Sequence, residues 1–233
     1  MLTIFFNWFV KVTGWLPQKL IFRTKIEYED RAAQGRHIKG PAIVIANHTS
    51  VFDVGIWMFV FFGRTLRCLV AELIFRKQPL GFFIKLLGGI RVDRDAHDFS
   101  FMARSEQILR RGGVLEIYPE SRIPRPGEKT PLEFKPSAAY LALSAAGSIP
   151  GGVKVIPVYT NGSYFRRARA RVIIGTPIDV LQYYDERLSE KENIAWINEV
   201  FRERILSLEA QLGEQVTRKG TDKSGTTAQK TTL

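Results

Sequence analysis

The chain of 233 residues contains one cysteine, three histidines and three methionines. A single cysteine excludes an intrachain disulfide and fits a reducing compartment. No His/Cys cluster has the spacing of a zinc site, so no metal is expected. Cys68 lies in the run Leu66-Arg-Cys-Leu-Val70 and reads as a small core residue rather than a nucleophile. Long hydrophobic runs are also missing. The longest, residues 4–10 and 51–62, are interrupted by Asn7 and Asp53 and fall short of the roughly 18 apolar residues a membrane span needs, so no transmembrane helix is expected. The N-terminus lacks the positive start and small-residue cleavage site of a signal peptide. There is no Gly-x-Ser-x-Gly nucleophile elbow. The stretch from Gly147 to Lys154 lacks the Gly-Lys-Ser/Thr ending of a phosphate loop. Acidic residues are outnumbered 23 to 34 by basic ones, and the net charge of +11 implies a polyanionic partner: a membrane surface, nucleic acid or an acidic protein.

What is present is the material of one α/β domain. Hydrophobic residues make up 45% of the chain, a globular proportion. Residues 1–15 have helical spacing, with Leu2, Phe5, Phe6, Phe9, Val12 and Leu16 apolar and Thr3, Asn7 and Lys11 forming a narrow polar stripe. Such a helix is either buried or lies in lipid. Its aromatics, and the Lys19, Arg23 and Lys25 that follow, favour an interfacial membrane helix. Gly14 and Pro17 are expected to end it, with a second short helix over 18–23.

Residues 25–29 alternate as an antiparallel strand does. Apolar runs predict further strands at 42–46, 65–71, 114–118, 153–159 and 167–175, with a short one at 90–93. Helices are expected from Val51 to about Phe62, at 72–87 with a break near Pro79, at 100–111, 137–146 and 185–212. The last carries Asn193 on its polar side. This pattern predicts an α/β fold. Residues 1–24 form an N-terminal amphipathic membrane-associating segment, 25–212 the main domain, and 213–233 a polar, disordered tail.

The chemistry centres on Asn47-His48-Thr-Ser-Val-Phe-Asp53. His48 and Asp53 are five apart. On one helix they would diverge by ~140°, and on one strand they would face opposite sides. They can meet only if the chain turns between them, which a strand ending at His48, a turn, and Asp53 in the first turn of the next helix allows. An aspartate on one imidazole nitrogen then leaves the other free to take a proton. The alternative is a capping aspartate and an unrelated histidine.

Four blocks occur in order: Asn47-His48-x-x-x-x-Asp53, Gly89-Ile-Arg-Val-Asp93-Arg94, Tyr118-Pro-Glu120-Ser-Arg122, and Val155-Ile-Pro-Val158. Together with Phe134-Lys135 and Ile174-Gly-Thr-Pro177 they resemble the glycerolipid acyltransferases of the 1-acylglycerol-3-phosphate acyltransferase type, over about residues 28–176. The resemblance implies a mixed sheet flanked by helices, no cofactor, and His48 as general base oriented by Asp53. It places Arg94 on the acceptor phosphate and Glu120, Arg122 and Asn47 in substrate binding, with the fourth block lining the acyl side. The third block departs from the family pattern: Ser121 replaces a glycine, and the arginine has moved up to position 122. A glycine there commonly serves a left-handed backbone.

The implied reaction moves a fatty acyl group from a thioester donor, acyl carrier protein or acyl-coenzyme A, to the hydroxyl of 1-acylglycerol 3-phosphate or another lysophospholipid. A free imidazole titrates near ~6.5, which suits a base at neutral pH. Backbone amides near Ser50 or in the third block are candidate oxyanion donors. The implied setting is phospholipid biosynthesis at the cytoplasmic side of the cell membrane, with peripheral attachment. A rival reading is a non-enzymatic basic module on anionic membranes. Nucleic acid is not an expected partner, because the apolar aromatics concentrate in the first helix, away from the cluster Arg166-Arg-Ala-Arg-Ala-Arg171. On a strand, Arg167, Arg169 and Arg171 would share one face. His37 is expected to be solvated, and His97 and the aspartates beside Arg94 have no assigned chemistry.

Overall fold

A computed structural model describes residues 2–93, 100–128, 130–162 and 170–225. Its elements in chain order are α1 (Leu2–Ile21), β1 (Lys25–Tyr28), β2 (Ala42–Ala46), α2 (Asp53–Val60), β3 (Leu66–Ala71), α3 (Glu72–Arg76), α4 (Leu80–Leu87), β4 (Ile90–Val92), α5 (Ser100–Arg110), β5 (Val114–Ile117), α6 (Ser137–Ser148), β6 (Lys154–Thr160), β7 (Arg171–Ile174) and α7 (Glu190–Gly225). The strands form one mixed sheet in the order β1-β7-β6-β2-β5-β3-β4. Only β6 and β7 pair antiparallel.

β2 is the central strand, hydrogen-bonded to β5 on one side and β6 on the other, both parallel to it. All its residues are buried, as expected of a strand covered on both faces, where an apolar run need not alternate. One face packs Ile43, Ile45, Leu115, Ile117 and Val155 against α5, α6 and α7. The alanines of α6 at 138, 139, 142, 145 and 146 let that helix lie close to the sheet. The other face packs Val44, Val114, Ile156 and Val158 against Ile56, Trp57 and Val60 of α2 and Phe61 just after it. Because β2, β3, β4, β5 and β6 run parallel, their carboxyl ends share one edge, the edge where open α/β sheets bind ligands.

Several local expectations are corrected. β1 pairs parallel with β7. Its alternation puts Ile26 and Tyr28 on the core side and Lys25 and Glu27 on the other, where Glu27 pairs with Arg171, and does not report strand direction. Helix α1 continues through both Gly14 and Pro17. Gly14 is a contact residue: an added Cβ would sit 2.9 Å from the ring of Phe59, so glycine is what lets α1 lie against α2. Pro17 removes one backbone donor, yet the helix resumes, with Phe22 N donating to Gln18 O at 3.0 Å. Asn193 is buried rather than on a polar face. It accepts from Asp185 N at 2.8 Å and donates to the carbonyls of Asp185, Leu188 and Ser189, closing the start of α7. Leu212 is the last buried residue among those described, and α7 runs on to Gly225. Cys68 is buried, and burial pushes its thiol up, as suits a core residue.

Helix α1 is turned inside out relative to an ordinary surface helix. Its polar residues face the protein: Asn7 and Lys11 are 2% and 1% exposed, whereas Phe5 is 69% exposed. Lys11 Nζ donates to the carbonyls of Phe62 and Arg64 at 2.8 and 2.5 Å, beyond the end of α2, where backbone acceptors are left over. Burial lowers its pKa to about 8. Leu2, Ile4, Phe5, Trp8, Phe9, Val12, Trp15 and Leu16 point outward. Phe6 stacks on Phe83 of α4, and Phe82 and Phe83 extend the exposed apolar surface. No helix among the described residues is long and apolar enough to cross a membrane.

Candidate functional site

The site forms where β2 ends. Asn47, the first residue past the strand, is fully buried and bridges to β6: its side chain donates to Thr160 O at 2.9 Å and accepts from Thr160 N at 2.8 Å. Next to this clamp, Gly162 has φ of +64°, and an added Cβ would lie 2.8 Å from Thr49 Cβ. Only glycine allows that approach. Asn47, which the resemblance places in substrate binding, is therefore occupied in tying two strands together.

After His48 the chain turns and α2 opens at Asp53, the arrangement required by their spacing. His48 Nδ1 lies 2.8 Å from Asp53 Oδ2. The same oxygen accepts from Thr49 N at 2.7 Å and Ser50 N at 2.9 Å, and Oδ1 accepts from Thr49 Oγ1 at 2.9 Å. With these three donors in place, the imidazole is the fourth group to meet the carboxyl. The imidazole must then present Nδ1–H to it, which leaves the Nε2 lone pair free to accept a proton. Nε2 has no hydrogen-bond partner among the described residues. The His48 side chain is 16% exposed and that of Asp53 0%, so the pair has one open end, the imidazole.

Two groups, Glu120 and Tyr118, hold His48 from its other sides. Glu120 Oε1 accepts from the backbone N–H of His48 at 2.7 Å and from Thr130 Oγ1 at 2.9 Å, and Oε2 accepts from Leu132 N at 2.8 Å. Glu120 itself was expected; Thr130 and Leu132, brought back by the loop after the third block, carry no motif. Burial raises the Glu120 pKa, against the pull of the amides of Leu132 and His48. The ring of Tyr118 stacks on the imidazole, with centroids 4.2 Å apart and planes inclined by 24°. The position of Tyr118, just past β5 and beside β2, is the signal that could have found it.

Of the remaining expected residues, Arg122 is exposed and makes a two-pronged pair with Glu128 inside its own loop, at 2.6 and 3.0 Å. Arg94 and His97 lie outside the described residues. So do 163–169, which contain most of the arginine cluster. Arg171, its last member, is a structural residue, paired with Glu27 at 2.8 Å and donating to Leu212 O at 2.9 Å. His37 is exposed. The amides of Thr49 and Ser50 are spent on Asp53, and that of Ser121 donates to Tyr118 O at 2.9 Å. These amides, expected as oxyanion donors, are not available for that task.

Ser121 adopts φ of +62°, a left-handed backbone that glycine enters freely and serine does not. Replacing Ser121 with glycine is therefore expected to stabilise the fold by about 0.5–1 kcal/mol. This takes ~1–2 kcal/mol of relieved strain less ~0.5–1 kcal/mol for the extra freedom of unfolded glycine. Urea unfolding of the two proteins checks it; an unchanged or lower midpoint contradicts the strain.

The family model described as Acyltransferase matches residues 23–161, more than half the chain. The 1-acyl-sn-glycerol-3-phosphate acyltransferase beta of Homo sapiens is 27% identical over 176 residues, covering 73% of this chain and 60% of that protein. The 1-acyl-sn-glycerol-3-phosphate acyltransferase of Bacillus subtilis (strain 168) is 24% identical over 177 residues, covering 74% and 83%. The chain thus spans less than two thirds of the length of the human relative. The crystal structure of the 1-acyl-sn-glycerophosphate (LPA) acyltransferase from Thermotoga maritima superimposes with a TM-score of 0.61 at 20% identity, over 88% of this chain and 80% of that one, and shares its fold. By the span of the family match, the four ordered blocks and the shared fold, the chain belongs to the acyltransferase family.

Proposed function

We propose that this protein transfers a fatty acyl group from a thioester, carried by acyl carrier protein or coenzyme A, to the free hydroxyl of 1-acylglycerol 3-phosphate. The observation that carries this reading is the 2.8 Å contact between His48 Nδ1 and Asp53. It leaves Nε2 as an oriented base at the carboxyl edge of the sheet. The acceptor hydroxyl hydrogen-bonds to Nε2 and attacks the thioester carbonyl as its proton moves to the imidazole. The tetrahedral adduct then expels the thiolate, which takes the proton back as a thiol. The C–O ester bond forms, the C–S bond breaks, and no acyl-enzyme is required. A non-enzymatic membrane module would have no use for a fully enclosed aspartate aligning an imidazole.

The relatives' names specify 1-acylglycerol 3-phosphate, and a terminal phosphate suits an arginine fork. Arg94 follows β4 by two residues in sequence, and β4 ends at the same sheet edge as β2, three strands or roughly 14 Å away. An arginine arm and the glycerol phosphate together span such a gap. We assign the phosphate to Arg94 ahead of Arg122, which is paired with Glu128. Glu120 supports the acceptor site through the loop it ties to His48. The membrane role falls to α1. Its outward apolar side would lie in the lipid interface while Lys11 and Asn7 hold the helix to the domain, a peripheral attachment on the cytoplasmic face.

Three outcomes follow from this reading. His48→Ala loses turnover by ~10²–10⁴-fold while remaining folded, with Asp53→Asn next in severity; thiol release from acyl-coenzyme A measures it, and a folded, active His48→Ala enzyme rules the base out. In an acceptor panel the wild type prefers lysophosphatidic acid to lysophosphatidylcholine, and Arg94→Ala raises KM for the acceptor but not for the donor; preference for the choline lipid would assign the site to another lysophospholipid. Replacing Phe5 and Phe9 together with glutamate releases the protein from anionic vesicles in sedimentation assays without unfolding it, whereas high salt alone releases it only partly, since screening leaves apolar burial intact. Unchanged sedimentation of the double variant contradicts the role of α1.

A further inference from the structure

Behind His48 and Asp53 lies a second carboxyl group that the acid–base chemistry does not use. Glu116 stands in β5, where Val114, Leu115, Glu116 and Ile117 are all buried. Its strand neighbours are Val44 of β2 and Cys68 of β3. It is 1% exposed, and it makes no ion pair with a cation among the described residues. Tyr118, two residues on and so on the same side of the strand, donates its hydroxyl to Glu116 Oε1. Oε2 has no hydrogen-bond partner among the described residues. The ionisable groups around Glu116 are Asp53 from α2, Cys68 from β3 and Tyr118 from just past the end of β5. None of them brings a positive charge.

An isolated carboxylate is costly in such a place, and the group neutralises instead. Burial, reinforced by the like charge of Asp53 and opposed by the hydrogen bond from Tyr118, raises the pKa of Glu116 to about 8. It is thus largely a carboxylic acid at neutral pH, while Asp53, with its four donors, is the partner of the imidazole.

The stack explains what such a group can do. The contact between Nδ1 and Asp53 fixes one point of the imidazole and leaves the ring free to swing about it. A second ring stacked 4.2 Å away and nearly parallel removes that freedom. An aromatic face also attracts a cation within about 6 Å, and the imidazole becomes cationic when Nε2 takes a proton. We propose that Glu116 and Tyr118 are positioning residues for His48: the buried acid anchors the tyrosine hydroxyl, and the anchored ring fixes the imidazole plane and stabilises the positive charge that arrives during transfer. This rests on the reading of His48 as the base.

The test compares kcat, KM and the pH profile of kcat for the wild type, Tyr118→Leu, Tyr118→Met, Tyr118→Phe, Glu116→Leu, Glu116→Gln and His48→Ala, each first checked for folding by circular dichroism. Leucine and methionine remove the aromatic face, and two variants are used so that one unfolded protein does not decide the matter. They are expected to lower kcat roughly 2- to 30-fold, the cation–π range. The acid limb should move to lower pH, and KM for both substrates should stay within about twofold, since the effect acts on the charged imidazole rather than on substrate. Tyr118→Phe keeps the face and should lose less kcat than Tyr118→Leu. Glu116→Gln still accepts from Tyr118 and should recover more kcat than Glu116→Leu.

Stability supplies a readout independent of turnover. A carboxyl raised from its ordinary 4.5 to about 8 contributes stability below pH 4.5 that is lost as pH rises through about 8. Glu116→Gln should flatten that decline in urea unfolding. A folded Tyr118→Leu or Tyr118→Met enzyme with wild-type kcat and an unmoved acid limb overturns the proposal, as does a Glu116→Gln protein with the wild-type stability slope. If His48→Ala is inactive while the tyrosine variants are unaffected, only the positioning pair fails. If His48→Ala is active, the base reading fails and the pair with it.

Discussion

The Asp53 carboxylate is the group on which the geometry of the site depends. Enclosing a charge with no partner would cost many kcal/mol, yet Asp53 is fully enclosed. What makes this possible is local. Its donors come from residues 48–50, the turn it faces, and α2 can begin where it does only if that turn folds back over the carboxylate. Turn, helix start and imidazole orientation are therefore one event. Removing the charge would free two buried amides as well as the imidazole, so Asp53 ties stability to site geometry in a way that a surface ion pair could not.

The same economy recurs around it. Glu120 gathers donors from His48, Thr130 and Leu132, so the loop after the third block is fastened to the end of β2. Asn47 fastens that end to β6. The imidazole is thus carried by groups anchored on β2, β5 and β6, the middle of the sheet, with one edge left open. Proximity effects in acyl transfer need this kind of fixed placement, because a displacement of about 1 Å costs heavily in rate. At the opposite extreme is α1, which spends its polar residues on the protein and leaves its apolar ones outside. On the proposed reading, that inversion gives α1 a lipid-facing surface on a domain whose basic excess suits anionic head groups.

Much of this was legible from the amino-acid order. The odd spacing of His48 and Asp53 admits contact only across a strand–turn–helix junction, and that junction formed. The apolar runs located the buried strands, and positive φ at Ser121 follows from the glycine expected there. Other features were not legible because they depend on partners distant in sequence. Alternation in β1 could not tell a parallel from an antiparallel neighbour. Gly14 reads as a helix end until the ring of Phe59 is beside it. Asn193 reads as a surface polar residue until the chain before α7 folds onto it. The stripe of Asn7 and Lys11 marked a face correctly but not which side of the helix was inward. Glu116, a lone acid in an apolar strand, was visible in the sequence, though its meaning required the ring of Tyr118 against His48.

The central claim is that the acceptor attacks the thioester directly, with the imidazole taking its proton and no protein atom ever carrying the acyl group. Intact-mass spectrometry of the enzyme, rapidly quenched after mixing with excess acyl-coenzyme A in the absence and presence of lysophosphatidic acid, addresses it most directly. The account predicts an unmodified protein mass under both conditions, with product formed only when the acceptor is present. A stoichiometric acyl adduct that accumulates without the acceptor and disappears on its addition would contradict it.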